Sequence, residues 1–220
     1  MPTWELDGCP QTENPAIRTN VIPTSSEGTL VLIRHAPTAE NMRGVVVGRI
    51  DPPLDENGLE RAHRFANAVS HLLINRLYSS TLTRSIQTAT LISSVKGVPL
   101  EASANLREAD FGILDGILKS SQEYKTHTRN RCEDKFFFRP QGGESYADVE
   151  DRVLHFLKNN QCIFKNGITA IVTHIGVIRA FYHYLCIVSP QQAAELDVDH
   201  LSVSILDFYR KKSVWGCNLI

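Results

Sequence analysis

The chain has 220 residues, a formal net charge of −1 at pH 7 and 42% apolar residues. That length fits one domain, which at this size buries roughly 70% of its unfolded surface without a disulfide or metal staple. The near-neutral balance excludes a nucleic-acid binder that works by bulk electrostatics, and no apolar run approaches a membrane span.

Five cysteines, Cys9, Cys132, Cys162, Cys186 and Cys217, are scattered, odd in number and without CxxC spacing. Free thiols in a reducing compartment are expected, rather than a disulfide framework or a zinc site. The first 28 residues hold Pro2, Pro10, Pro15 and Pro23 and no apolar stretch of signal-peptide length, so a cytoplasmic location is expected. They read as an irregular N-terminal extension whose Trp4, Leu6, Ile17 and Ile22 could cover apolar surface of a single domain over 29–220.

From residue 29 strand and helix patterns alternate. Thr29–Ile33 is a short apolar, β-branched run, followed at once by Arg34 and His35 and then a loop to about residue 54. Asn57-Gly58 opens a helix with Leu59, Ala62, Phe65, Ala66, Val69, Leu72 and Leu73 at helical spacing. A short strand near 76–79 precedes a helix capped by Thr81, running through Ile86, Ala89, Thr90 and Leu91. Gly97-Val98-Pro99-Leu100 breaks that helix and starts another short strand. Residues 108–143 are charged and lack periodicity, ending at Gly142-Gly143. Tyr146, Val149, Val153, Phe156 and Leu157 mark an amphipathic helix. Ile168–Thr173 is a second buried-strand run, followed by His174, Ile175 and a helix from Gly176 to Cys186. Val203–Phe208 predicts a final strand at the sheet edge. The fold class is α/β: three layers, a mostly parallel central sheet with helices on both faces, and an inserted lid region (108–143) over the strand C-terminal ends.

Ligands of open α/β sheets bind just past the carboxyl ends of the strands. A lone histidine there is more often structural, but here two strand ends carry His35, His174 and Arg34, which suggests a catalytic site for an anion. The guanidinium of Arg34 is a planar, permanent charge matched to phosphate, and Thr38 and Asn41 can add neutral donors, although such residues are also common in ordinary turns. Arg84 falls in the first turn of a predicted helix, where the dipole disfavours a cation unless it faces a bound anion. Glu108, usually a solvated loop acid in such a setting, gains meaning because a departing alkoxide needs a proton.

These residues resemble the histidine phosphatase superfamily, also called phosphoglycerate mutase-like. Arg34, His35, Thr38 and Asn41 match its RHG-type motif, and Ser79, Ser80, Leu82, Arg84, Gln87, Thr88 and Ala89 match SSxLxRxxQTA. Leu106-Arg107-Glu108 with Phe111-Gly112 resembles its acid motif, and Thr173 to Arg179 its second histidine motif. Gly142-Gly143-Glu144-Ser145 resembles the GGES segment of phosphatase members, and Gly48 to Leu54 the GRxDxPL segment of α-ribazole phosphatase-like members. Ala36 stands in place of the usual glycine, leaving less room near the phosphate, and Leu114 where many members carry tryptophan.

The resemblance implies a metal-independent phosphatase that hydrolyses a small-molecule phosphomonoester through a phosphohistidine. His35 would be the nucleophile, one ring nitrogen held by a hydrogen bond and the other open. Arg34, Arg84 and His174 would neutralise the phosphoryl oxygens, and Asn41, Thr38 and Ile175 would complete the phosphate site. Glu108 would act as general acid and then base, helped to keep its proton by a negative neighbourhood. No metal or other cofactor is implied, because arginines and histidines do the work of Mg²⁺. The short insertion and the GGES segment favour a phosphatase over a phosphotransferring mutase. A low-activity interaction module of the same fold is a further alternative, although no catalytic residue is missing. Neither nucleic acid nor membrane is an expected partner, and the oligomeric state is left open, a homodimer included. Among the cations of the insertion (Lys119, Lys125, His127, Arg129, Arg131, Lys135 and Arg139), one or two are expected to touch a polar or anionic part of the substrate, with Arg129, Arg131 and Arg139 the ones to neutralise; a solvated, mixed-charge loop is the alternative.

Overall fold

The computed structural model describes residues 28–129, 134–161, 167–185 and 187–210, and the backbone of 212–215. All five cysteines, Arg131 and the proposed packing of Trp4, Leu6, Ile17 and Ile22 lie outside the described residues.

In chain order the main elements are β1 (Thr29–Arg34), α1 (Ala39–Met42), α2 (Glu56–Ala68), β2 (Ile74–Ser80), α3 (Thr83–Lys96), β3 (Leu100–Ser103) and α4 (Gln122–His127). There follow α5 (Tyr146–Asn159), β4 (Ile168–Thr173), α6 (Ile175–Tyr184), α7 (Pro190–Glu195), β5 (Val203–Asp207) and β6 (Lys212–Trp215). The six strands form one sheet in the order β3-β2-β4-β1-β5-β6. The pairs β1/β4, β2/β4 and β2/β3 are parallel, whereas β5 runs antiparallel to both β1 and β6.

The two-residue period of β1 divides its side chains between two cores. Leu30 and Leu32 pack with Val149, Val153 and Phe156 of α5 and Val177, Ile178 and Phe181 of α6. Val31 and Ile33 face the other way, onto Ala62 and Phe65 of α2 and Ala89 and Ile92 of α3. Both faces of the sheet are therefore covered, which is why β1 and β4 read as unbroken apolar runs.

Several local expectations change. Helix α3 begins at Thr83, with Leu82 and not Thr81 at its N-cap: Asp51 accepts the Thr83 N–H (2.7 Å) and hydroxyl (2.8 Å) from across the chain. Thr81 instead accepts from Arg107 Nε at 2.5 Å. Helix α2 is capped by Asp55, which accepts the Gly58 N–H at 2.7 Å, so Asn57-Gly58 lies inside its first turn. Strand β5 is internal; the edge belongs to β6. Ala36 lies fully buried among the α2/α3-side core. The 108–143 stretch holds a 3-10 turn at Gly112–Leu114 and α4, and a bridge between Val45 and Leu118 ties it to the loop after α1.

Candidate active site

Because β1 and β4 are parallel neighbours with Arg34 opposite Thr173, the next residue of each strand is a histidine and the two must meet. The His35 and His174 rings lie with centroids 4.9 Å apart, and the His35 N–H donates to Thr173 O at 2.9 Å. Nδ1 of His35 is 2.6 Å from Ala36 O. A carbonyl only accepts, so Nδ1 carries the proton and Nε2 keeps its lone pair. Burial, then the charges of His174, His200, Arg84 and Arg34, hold His35 well below the usual imidazole range. His174 is likewise held well below that range, again by burial first and then by Arg84 and Arg152. Both rings are neutral at physiological pH.

Around them sit buried polar nitrogens with no partner: both ring nitrogens of His174, Nε of Arg34 and Nε of Arg84. Both arginine nitrogens are donors and a neutral His174 adds one donor and one acceptor; buried polar groups left unpaired are costly, and such a donor-rich set in one neighbourhood suits an anion. Arg84 is fully buried, its two terminal nitrogens donating to Ile50 O (3.0 Å) and Gly48 O (2.9 Å). Those carbonyls are in turn fixed by Asp115, whose carboxylate accepts the N–H groups of Gly48 (2.6 Å), Arg49 (2.6 Å) and Ile50 (2.8 Å). The Gly48 to Leu54 segment is thus the cradle of Arg84, and Leu54 N–H closes it by donating to Gln87 at 2.8 Å.

Glu108 is 4% exposed. Its Oε1 accepts the N–H of Ala109 (2.8 Å) and of Gly176 (3.0 Å), in the first turn of α6. A Cβ at Gly176 would lie 2.3 Å from that oxygen, so only glycine admits this approach. The second carboxylate oxygen is the one left for the cavity. The neighbourhood of Glu108 is positive, not negative: the charges of Arg34, Arg84 and Arg152 all act on it. The loop carrying Glu108 is held by Glu144 of the GGES segment. Glu144 accepts from Asp110 N–H (2.9 Å), Arg49 (3.1 Å) and Arg152 (3.1 Å), while Arg152 also donates to Glu108 O at 3.0 Å. Gly143 is needed because a Cβ there would lie 2.5 Å from Asp110 O.

A cavity of about 340 Å³ opens over these residues. Of the expected site residues, Arg34, His35, Asn41, Glu108 and Ile175 line it, while Arg84 and His174 are fully buried and do not form its wall. Thr38 does not reach it either. Its hydroxyl, fully buried, donates to Asn41 Oδ1 (3.2 Å) in the capping box of α1, so Thr38 orients the Asn41 amide instead of meeting the anion. Of the insertion's cations, Lys119 and Lys135 line the cavity, together with Arg179 of α6; Arg139 pairs with Asp148 at 2.5 Å and Arg129 is exposed, and neither lines it.

His200 escaped the sequence reading altogether. It sits 5.0 Å from the His35 ring, with Nδ1 2.9 Å from His35 O and Nε2 3.0 Å from Arg34 Nη2. It precedes a strand expected at the sheet edge, and only the antiparallel placement of β5 beside β1 brings its start to this end of the sheet.

Comparison with known proteins accords with this arrangement. The family model of the histidine phosphatase superfamily (branch 1) matches residues 30–217. Phosphoserine phosphatase 1 of Hydrogenobacter thermophilus is 30% identical over 187 residues, which cover 84% of this chain and 89% of that protein. A 2,3-bisphosphoglycerate-dependent phosphoglycerate mutase of Xanthobacter autotrophicus is 30% identical over 178 residues, 76% of this chain and 84% of its own. The crystal structure of the α-ribazole phosphatase from Shigella flexneri superposes with a TM-score of 0.74 at 25% identity, covering 86% of this chain and 96% of that one.

The chain belongs to the histidine phosphatase superfamily. Within it, the chain is a hydrolase of the phosphatase kind. Among the described residues no helix is long and apolar enough to cross a membrane, and no cluster of His, Cys, Asp and Glu could hold a metal ion.

Proposed function

We propose that this protein hydrolyses a small phosphomonoester, without a metal ion, through a phosphohistidine at His35. The observation that carries the reading is the set of unpartnered buried nitrogens on Arg34, Arg84 and His174 around the open Nε2 of His35. Nε2 attacks phosphorus in line with the departing oxygen, and Glu108 gives that oxygen its proton, so the alcohol leaves neutral. Arg34, Arg84, His174 and the Asn41 amide take the charge of the transferring group. Such preorganised donors are worth roughly 10²–10³ in rate apiece. In the second half, the Glu108 carboxylate takes a proton from water as the water oxygen attacks phosphorus; the P–Nε2 bond breaks, the electron pair returns to Nε2 of His35, and inorganic phosphate leaves.

A cavity of about 340 Å³ suits a small substrate rather than a phosphoprotein loop. Lys119, Lys135 and Arg179 on its wall suit a substrate with a second polar or anionic group, and phosphoserine, the substrate named for one relative, is the first to try. Mutases among the relatives keep transfer between two positions of one substrate as the second reading.

The test is a panel of phosphomonoesters assayed with a chelator present, followed by rapid non-acidic quench with labelled substrate. Label is expected on His35, with inorganic phosphate as product, and none in His35→Ala. Full activity in His35→Ala, or abolition by the chelator, overturns the reading.

A further inference from the structure

We infer that His200 is a positioning residue that aims the Arg34 guanidinium at the phosphoryl group; the inference rests on the phosphate reading of the site.

The hydrogen bonds of His200 fix its tautomer. Nδ1 faces the His35 carbonyl, which only accepts, so Nδ1 carries the proton. Nε2 faces Arg34 Nη2, which only donates, so Nε2 must be the lone pair. A second proton would set two donors against each other. Burial and the Arg34 charge accordingly pull the ring down to about 3, leaving it neutral over the whole working range.

This tautomer decides which edge of Arg34 is presented. Nη1 donates to Val198 O and Nη2 to His200, so the two terminal nitrogens are held by the chain segment before β5. Nε is buried without a partner. The edge made by Nε–H and the remaining Nη2 proton is therefore the one left for a bidentate contact with phosphate. Without an acceptor at His200 the guanidinium loses one of the two partners that hold its terminal nitrogens and can turn about its stem.

The backbone gives independent support. Leu201, the neighbour of His200, is the one non-glycine residue with positive φ (63°) among the described residues, and its side chain is buried. Such a conformation is disfavoured for any residue with a Cβ and persists only where the surroundings enforce it. Here they do: Leu201 N–H donates to Arg34 O at 3.0 Å, Arg34 N–H donates to Ser202 O at 3.3 Å, and Ser202 N–H closes a turn on Asp199 O at 3.2 Å. The turn is clamped to the end of β1, and the strained residue swings His200 over Arg34 and His35.

The test uses two near-isosteric amides. Asparagine can place a donor where Nδ1 stands, and glutamine an acceptor where Nε2 stands. Orthovanadate inhibition and binding of inorganic phosphate, measured by calorimetry, report the anion site without needing the substrate. His200→Phe and His200→Asn are expected to weaken vanadate by at least about tenfold, with kcat falling more than KM rises. His200→Gln is expected to recover most of that loss. Thermal melting of each variant separates this from misfolding. Equal vanadate affinity in wild type and His200→Phe, or His200→Gln no better than His200→Phe, overturns the role of His200 alone. A wild-type protein that binds neither vanadate nor phosphate overturns the phosphate reading and this inference with it.

Discussion

The proton transfer proposed for Glu108 is separable from its structural role. The acid holds two backbone N–H groups through one oxygen, and Glu108→Gln can retain both through its amide oxygen while losing the transferable proton. Turnover of alkyl phosphates is expected to fall by about 10²–10⁴. p-Nitrophenyl phosphate, whose leaving group departs unprotonated, should fall far less. Initial rates on the two substrates check this, and equal losses would move Glu108 from proton transfer to binding. At this scale the sequence was readable wherever a residue type is tied to its task. Arg34, His35, Arg84, Glu108 and His174 stood out because fork geometry, a titratable ring and an acid are what phosphoryl transfer uses. Thr38 is ambiguous in the sequence because a hydroxyl in a strand-to-loop turn serves an anion and a helix cap equally well, and only the tertiary structure gives it the 3.2 Å bond to Asn41.

The loop over 48–50 works through three backbone N–H groups on Asp115 and two carbonyls on Arg84. Removing the acceptor leaves those N–H groups unpaired and lets the carbonyls drift. Asp115→Ala is therefore expected to lower stability by about 2–3 kcal/mol. It should also lower kcat/KM by on the order of 10², because Arg84 loses its aim. Denaturant unfolding and steady-state kinetics measure the two effects, and a destabilised variant with full kcat/KM would show that Arg84 is held by other means. The short GRxDxPL-like segment could be noticed in the sequence, but not its purpose. Asp115 lies sixty-odd residues downstream in a stretch of mixed charge, where an acid that grips a distant loop looks like any solvated aspartate. The α3 start shows the same limit, since Asp51 caps it from 32 residues away and no local capping pattern records that.

Three neutral imidazoles buried in one place make the whole molecule sensitive to acid. His35, His174 and His200 all have folded-state values pulled down, chiefly by burial. Unfolded, each takes a proton near pH 6.5. Below that pH the unfolded chain binds more protons than the folded one, so stability falls as pH falls. Each group contributes about 1.4 kcal/mol per pH unit in this window, which for His200 extends down to about 3. Glu144 and Asp148, with carboxyls lowered by their arginine and backbone partners, act in the same direction but only below about pH 4.5. Unfolding at pH 5.5 should therefore take up roughly two to three protons, measured from the pH dependence of denaturant midpoints. An uptake below one would mean that these rings are protonated in the fold.

The apolar runs at Thr29–Ile33 and Ile168–Thr173 and the helical spacings between them determined by themselves a covered, mostly parallel sheet, with the candidate site residues just past the ends of two of its strands. Short-range periodicity carries that information because burial on two faces demands it. The tertiary structure alone decided strand order. With β1 beside β4, His35 and His174 are brought within 4.9 Å, a meeting of residues far apart in the chain. With β5 antiparallel beside β1, the turn before it arrives at the C-terminal end of β1 and delivers His200; a parallel β5 would have carried that residue to the opposite end of the sheet. Strand direction depends on which neighbours share a core and which connections can reach, and that balance is written in no local stretch of sequence.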